Sequence, residues 1–154
     1  MRIYADASWW VPFKCRRDVR HQHALRLLDV HPDAHLLWTP WHRVEVLNTL
    51  RQVTRDPDAP LPVAEAKQII RLLEQEVRLG YYAHFEFDWR DAVRTACELS
   101  AEVGFRLRLR SMDLFHVAVA QEACAELFVS FDEDQLAVAQ AASLPILNPA
   151  SRRR

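Results

Sequence analysis

The sequence predicts an α/β layer fold with a mostly parallel central sheet of four to five strands. Three observations predict it. Short apolar runs that read as strands alternate along the chain with stretches of helical periodicity. Those runs are continuously apolar, as in Ile3-Tyr4-Ala5 and Leu127-Phe128-Val129, the pattern of strands covered on both faces. The 154 residues, half of them apolar and 27% charged, suffice for one buried core, and no repeat, low-complexity stretch or long linker divides them.

Taken in order, Arg2 to Ala5 is a β-prone run ending at Asp6, with a helix starting near Ala7. Asp18 to Val30 carries Val19, His23, Leu27 and Val30 near helical spacing, and His31-Pro32 stops it. Leu36 to Thr39 is the second strand, and Pro40 opens a helix from Trp41 to about Thr54. Three prolines and two aspartates make Arg55 to Pro62 a loop. Val63 to Leu79 is helical, with Gly80 as its C-cap. His84 to Phe87 reads as a short third strand, and Asp91 to Val103 and Ser111 to Ala125 as helices. Leu127 to Phe131 is the best strand of the chain. A helix from Asp132 to Ala142 and a strand from Pro145 to Leu147 follow it. One domain is expected over residues 1–148, then a basic tail over 149–154.

Composition excludes several function classes. The chain has two glycines, Gly80 and Gly104, and a phosphate-cradling loop or a nucleophile elbow needs them clustered. Nucleotide-dependent enzymes and serine hydrolases are demoted on that ground. Cys15, Cys97 and Cys124 lie too far apart for a CxxC pair or a zinc ribbon, and they read as reduced core thiols of a cytoplasmic protein. Met1-Arg-Ile-Tyr-Ala-Asp6 puts a carboxylate where the apolar stretch of an export signal would lie, so none is expected. No apolar run approaches the ~18 residues of a membrane span.

Four carboxylates, Asp6, Glu45, Asp113 and Asp132, are far apart in sequence, but a parallel sheet brings them to one rim. Asp6 and Asp132 follow strands directly. Glu45 lies in the opening turns of the helix after the second strand, and Asp113 opens the helix that returns to the start of the strongest strand. Crowded carboxylates repel and raise one another's pKa, which a divalent cation relieves, and oxygen ligands select Mg²⁺ or Mn²⁺ over zinc. Each acid also has a plainer role. Asp6 and Asp132 fit helix caps, the latter in an Asp-x-x-Gln box with Gln135, and Asp113 suits a helix dipole. Glu45 is harder to dismiss. Trp41, Glu45 and Asn48 share one sector of their helix, next to the apolar Val44 and Leu47. His116 shares a face with Asp113 and reads first as a packing histidine with satisfied nitrogens.

These residues resemble a known family. Ala5-Asp6-Ala7-Ser8 after a first strand, Glu45-x-x-Asn48 on an early helix, Ser111-x-Asp113-x-x-His116-x-Ala118 and Ser130-Phe131-Asp132 look like the PIN domain of the VapC-type toxins of bacterial toxin–antitoxin systems. The resemblance runs from Ile3 to about Asn148 in the family's order. It implies a three-layer α/β/α PIN-like fold and a Mg²⁺- or Mn²⁺-dependent endoribonuclease, cytoplasmic, homodimeric and silenced by a cognate antitoxin. Asp6, Glu45, Asp113 and Asp132 match the acidic quartet that holds the metal and carries catalysis. Ser8, Asn48 and Ser111 match its polar accompaniments. The sequence departs from the pattern at Trp9-Trp10, where smaller residues are usual, and at Asp134, a second acid that offers itself in place of Asp132. Two other functions compete: a housekeeping PIN-type nuclease without an antitoxin, and a non-catalytic α/β module that binds a cation or a partner.

Net charge is −1, yet eighteen of the twenty basic residues are arginine and they gather in clusters. Phe105 to Arg110 alternates apolar and basic, so Arg106, Arg108 and Arg110 either draw RNA toward Asp113 or form a solvated edge. Trp9 and Phe13 share a helical face, while Trp10 points about 100° away. One of the two indoles is therefore expected to line a groove beside the acids, where an antitoxin segment would lie, and the other to fill the core.

Overall fold

The computed structural model describes residues 1–151, so Arg152 to Arg154 of the expected basic tail lie outside the described residues. The elements run β1 (Arg2–Ala5), α1 (Ala7–Lys14), α2 (His21–Val30), β2 (His35–Trp38), α3 (Pro40–Gln52), a 3₁₀ turn (Val53–Arg55), α4 (Val63–Arg78), β3 (Ala83–His84), α5 (Trp89–Val103), α6 (Ser111–Glu122), β4 (Leu127–Val129), α7 (Glu133–Ala141) and β5 (Ile146–Leu147). The five strands form one sheet in the order β3-β2-β1-β4-β5. Every pair is parallel, with Ile3 opposite Leu36 on one side and opposite Leu127 on the other.

Side chains alternate across the sheet and create two cores. Ile3, Ala5, Leu36, Trp38 and Val129 pack on one face with α1 to α4, whereas Tyr4, Leu37 and Phe128 pack on the other with α5 to α7. The result is three layers, α/β/α. Because both faces are covered, the strands carry no polar side and read as apolar runs.

Several boundaries differ from expectation. α2 starts at His21, since Asp18 to Arg20 form a turn in which Asp18 Oδ1 accepts from the Arg20 N–H at 2.8 Å. β3 is only Ala83–His84, because the chain leaves the sheet edge at Phe85 after one last hydrogen bond to the Trp38 carbonyl. Gly80 follows α4 with φ +76°, the left-handed turn that only glycine adopts without strain. Among the described residues, no helix is long and apolar enough to cross a membrane.

The strand order places a topological switch between β1 and β4. The chain leaves β1 toward β2 and β3 on one side, then returns to build β4 and β5 on the other. At such a point the loops leaving two neighbouring strands diverge and open a crevice at their carboxyl ends. Asp6 is the first residue beyond β1, and Asp132 the third beyond β4, which ends at Val129 where the sequence predicts a strand on to Phe131.

Candidate active site

Asp6 is the centre of the site. It caps α1, and its carboxylate is buried, with Oδ1 accepting from the Ser8 hydroxyl at 2.6 Å and the Trp9 N–H at 3.3 Å. Oδ2 accepts from the Ser130 hydroxyl at 2.8 Å. Burial pushes the Asp6 pKa up to about 6, with the Glu45 charge adding to the rise and His116, Ser8 and Ser130 opposing it. Ser130 Oγ also accepts from the Asp132 N–H at 2.8 Å, so one buried hydroxyl joins the acid after β1 to the acid after β4.

Behind Asp6 the strand end is pinned from α3. His42 is buried and neutral, its pKa lowered to about 3, chiefly by burial. Its Nδ1 accepts from the Thr39 N–H at 3.1 Å, so Nε2 carries the proton and donates to the Ala5 carbonyl at 2.8 Å. That bond fixes the residue preceding Asp6.

Glu45 reaches the rim from the second turn of α3, where its Oε2 lies 2.5 Å from His116 Nε2 on α6. The other ring nitrogen of His116 lies 2.9 Å from the Tyr4 hydroxyl. The Trp41 indole N–H also points at Nε2 from 3.2 Å. One nitrogen cannot donate to a carboxylate and accept from an indole, and the shorter, charge-assisted contact takes the proton.

Asp113 and Asp132 form the other side of the rim. Asp113 Oδ2 accepts from the Arg110 N–H at 3.0 Å, and Asp132 Oδ1 accepts from the Asp134 and Gln135 N–H groups at 2.9 and 3.3 Å. The Asp113 pKa is raised, first by partial burial and then by the Asp132 charge, with the Arg110 backbone N–H and His116 opposing. The four acids thus share one rim, as two neighbourhoods bridged by Ser130 and His116. They do not meet in a closed cluster. Among the described residues, no three His, Cys, Asp or Glu side chains are grouped to hold a metal ion. Carboxylates repel, and three of the four take donors from their own helix ends. Capping and a place on the rim are therefore compatible roles for the same side chain.

The chain matches a known family. The PIN domain model matches residues 3–141, nearly the whole chain. The protein belongs to the PIN domain family. Its fold is similar to that of VapC20 from Mycobacterium tuberculosis, a sarcin–ricin loop cleaving toxin, at 20% identity and TM-score 0.64, over 92% of this chain and 95% of that one. FitAcB from Neisseria gonorrhoeae is similar at 16% identity and TM-score 0.65, over 96% and 97% of the two chains. VapBC2 from Rickettsia felis, bound to a DNA fragment from its promoter, is similar at 13% identity and TM-score 0.61, over 96% and 98%. No curated protein matches the sequence.

Within this PIN domain the remaining expected residues fall into two groups. Ser8 belongs to the site, holding Asp6 and accepting from the Phe131 N–H at 2.9 Å. Asn48 does not. It is exposed and its Oδ1 accepts from Gln52 at 3.5 Å, while Val44, expected on a buried margin, is 60% exposed. α3 is rotated so that Val46, Leu47 and Leu50 face the core, which leaves Glu45 at the edge and turns Asn48 to solvent. Ser111 opens α6 on the exposed surface. Asp134 is exposed on the first turn of α7, and Asp132, not Asp134, is the acid whose charge reaches Asp113. Arg106, Arg108 and Arg110 are exposed, alternating with the half-buried Leu107 and Leu109. Trp9 and Trp10 are both fully buried, so neither lines a groove. Sequence reasoning missed two buried polar groups, Tyr4 and His42, and gave Ser130 no role beyond its place in the Ser130-Phe131-Asp132 motif. Only Ser130 carried a usable signal, as a small polar residue between the strongest strand and a capping aspartate.

Proposed function

We propose that this PIN domain is a Mg²⁺- or Mn²⁺-dependent endoribonuclease of VapC type, the toxin of a toxin–antitoxin pair. The observation that carries the reading is Asp6: a buried carboxylate with a raised pKa, at the switch point of a parallel sheet, with three more acids on the same rim. A carboxylate kept there against its desolvation cost is the signature of a site and not of a cap alone, since a cap works as well when exposed.

The residues fit a hard divalent cation by donor type and by charge. Each acid offers oxygen only. Among the described residues, Glu45 Oε1, Asp113 Oδ1 and Asp132 Oδ2 accept no protein hydrogen bond and are free to turn inward. A cation held by Asp6, Glu45, Asp113 and Asp132 would supply positive charge against the developing negative charge of the phosphodiester. Ser8 and Ser130 keep Asp6 in one orientation, and His42 holds the strand end that presents it. Arg106, Arg108 and Arg110 lie just before Asp113 and would meet the RNA backbone.

The sequence resemblance adds a homodimer, a cytoplasmic location and a cognate antitoxin to this proposal. The test is cleavage of structured RNA with mapped ends: wild-type protein cuts with Mg²⁺, EDTA abolishes cutting, and Asp6→Asn loses on the order of 10²-fold or more. Expression should arrest growth, and Asp6→Asn or the neighbouring small reading frame should relieve the arrest. Cutting that persists in EDTA would overturn the reading. A wild-type chain that cuts RNA yet is harmless at high expression would leave a nuclease without an antitoxin.

A further inference from the structure

We propose that His116, held by Tyr4, is the positioning residue for Glu45. The inference rests on the metal-site reading above and concerns how one of its acids is kept in place. α6 is apolar through its middle, with Leu114, Phe115, Val117, Ala118, Val119 and Ala120 all buried, and His116 is the exception at 1% exposed. Packing alone would be served by an apolar side chain of that volume, because a buried imidazole must find partners for both nitrogens. Here both partners come from other elements: Tyr4 from β1 at 2.9 Å and Glu45 from α3 at 2.5 Å.

The direction of the bonds follows from the chemistry. If Nδ1 accepts from the Tyr4 hydroxyl, the ring proton sits on Nε2 and is donated to Glu45. If the ring is charged, Nε2 carries a proton as well. Glu45 therefore receives a hydrogen bond from His116 in either state. A bare Nε2 would set its lone pair against a carboxylate 2.5 Å away.

The support behind His116 is rigid. Tyr4 is fully buried, stacks on Phe128 at a centroid distance of 5.6 Å and lies 4.5 Å from the His42 ring. Trp41 lies edge-on to the imidazole at a centroid distance of 6.2 Å, on the Nε2 side that faces Glu45. Glu45, by contrast, has a flexible stem and a side chain 30% exposed, so nothing on α3 alone would hold its carboxylate on the rim. The chain Tyr4–His116–Glu45 does that through Oε2, and Oε1 accepts no hydrogen bond among the described residues. Hydrogen bonds of this kind to metal-binding carboxylates typically contribute 10–100-fold to affinity.

The experiment is Mn²⁺ titration of the full chain by calorimetry, with thermal melting in EDTA as the control for folding. His116→Leu should bind Mn²⁺ about 10–100-fold more weakly than wild type. His116→Gln, whose amide N–H can reach Glu45 in place of Nε2, should recover most of that loss. Tyr4→Phe should weaken binding by a smaller factor. In a Glu45→Gln background, His116→Leu should cause no further loss. The proposal is overturned if His116→Leu binds as wild type does, if Gln rescues nothing, or if the loss is as large with Glu45 already replaced. Should His116→Leu fail to fold, Tyr4→Phe decides, and unaltered Mn²⁺ affinity there overturns the proposal. Wild-type protein that binds no Mn²⁺ would remove the metal-site reading and this inference together, whereas binding unaffected by the variants removes the inference alone.

Discussion

At the scale of single residues, Asp6 carries the most consequence, because its burial couples stability to pH. Its pKa rises from 3.8 to about 6 on folding. Between those values the folded protein holds a proton that the unfolded chain has released, so stability falls as pH rises through that window and levels off above it. The full effect is on the order of 3 kcal/mol, taking about 1.4 kcal/mol for each pH unit. Asp6→Asn removes the titrating group while keeping an acceptor for Ser8 and Trp9. The Ser130 hydroxyl proton can turn to Gln135 Oε1, 3.4 Å away. In EDTA, the variant should therefore be more stable than wild type at pH 7 and no more stable near pH 4. Urea melts across that range measure it, and parallel curves for the two proteins would count against a raised Asp6. The same comparison shows what was legible. Asp6, Asp113 and Asp132 could be found because each lies between a strand and a helix or opens a helix, and Glu45 because it lies early in the helix that follows β2. Tyr4 and His42 could not, because their partners His116 and Ala5 lie 112 and 37 residues away. Nothing local distinguishes a hydroxyl or imidazole that will be buried against a distant polar partner from one that faces water.

At the scale of elements, strands and helices were legible wherever one period dominated, and α1 shows where that fails. Spacing put Trp9 and Phe13 on one helical face and Trp10 off it, which argued for one ring in a groove. In the structure Trp9 stacks on Phe13 at 4.6 Å, and Trp10 meets Trp38 and Tyr82 edge-on at 5.1 and 4.9 Å. Both rings are buried because α1 is covered on several sides, by the sheet, α2 and α3, and a helix covered all round has no polar face for periodicity to reveal. Among the described residues, both indole N–H groups lack a protein partner, an unpaired cost that packing must outweigh. Trp10→Ala should thus cost roughly 3–5 kcal/mol, as for other large-to-small changes in a core. It should lower the melting temperature without a selective loss of antitoxin binding. Lost binding at an unchanged melting temperature would mean that Trp10 lines the groove after all. β3 was less legible for the opposite reason. With only Ala83 and His84 in the ladder, it is too short for an alternation to declare itself, and the apolar Phe85 and Phe87 drew the expected strand onward.

At the scale of the whole molecule, a net charge of −1 conceals a division of labour. The acids gather at the switch point of the sheet, and positive charge must lie near them if a polyanion is to enter. Two arginine clusters among the described residues are candidates, one at Arg16-Arg17 and one at Arg106, Arg108 and Arg110, and they differ in how far their charge is paired. Near α1, Arg17 is already paired with Glu65 at 2.9 Å and Arg20 with Asp18 at 3.5 Å, so part of that charge is neutralised within the fold. Arg106, Arg108 and Arg110 are exposed on the segment that leads into α6, whose Leu107 and Leu109 pack on the core. Single-stranded nucleic acid contributes about 0.7 to the salt slope for each phosphate neutralised. Replacing all three arginines by Gln should therefore weaken RNA binding and reduce the slope of log K against log salt by about 2, if each contacts one phosphate. Asp6→Asn should leave the slope of bound RNA unchanged, since it touches chemistry and not the approach. Binding measured in the presence of Ca²⁺, from low to moderate salt, separates the two effects. A slope unaltered by the triple change would move the RNA path away from this segment and toward Arg16 at the opposite end of α1, and would make the alternation of Leu107 and Leu109 with arginine a solvated edge and nothing more.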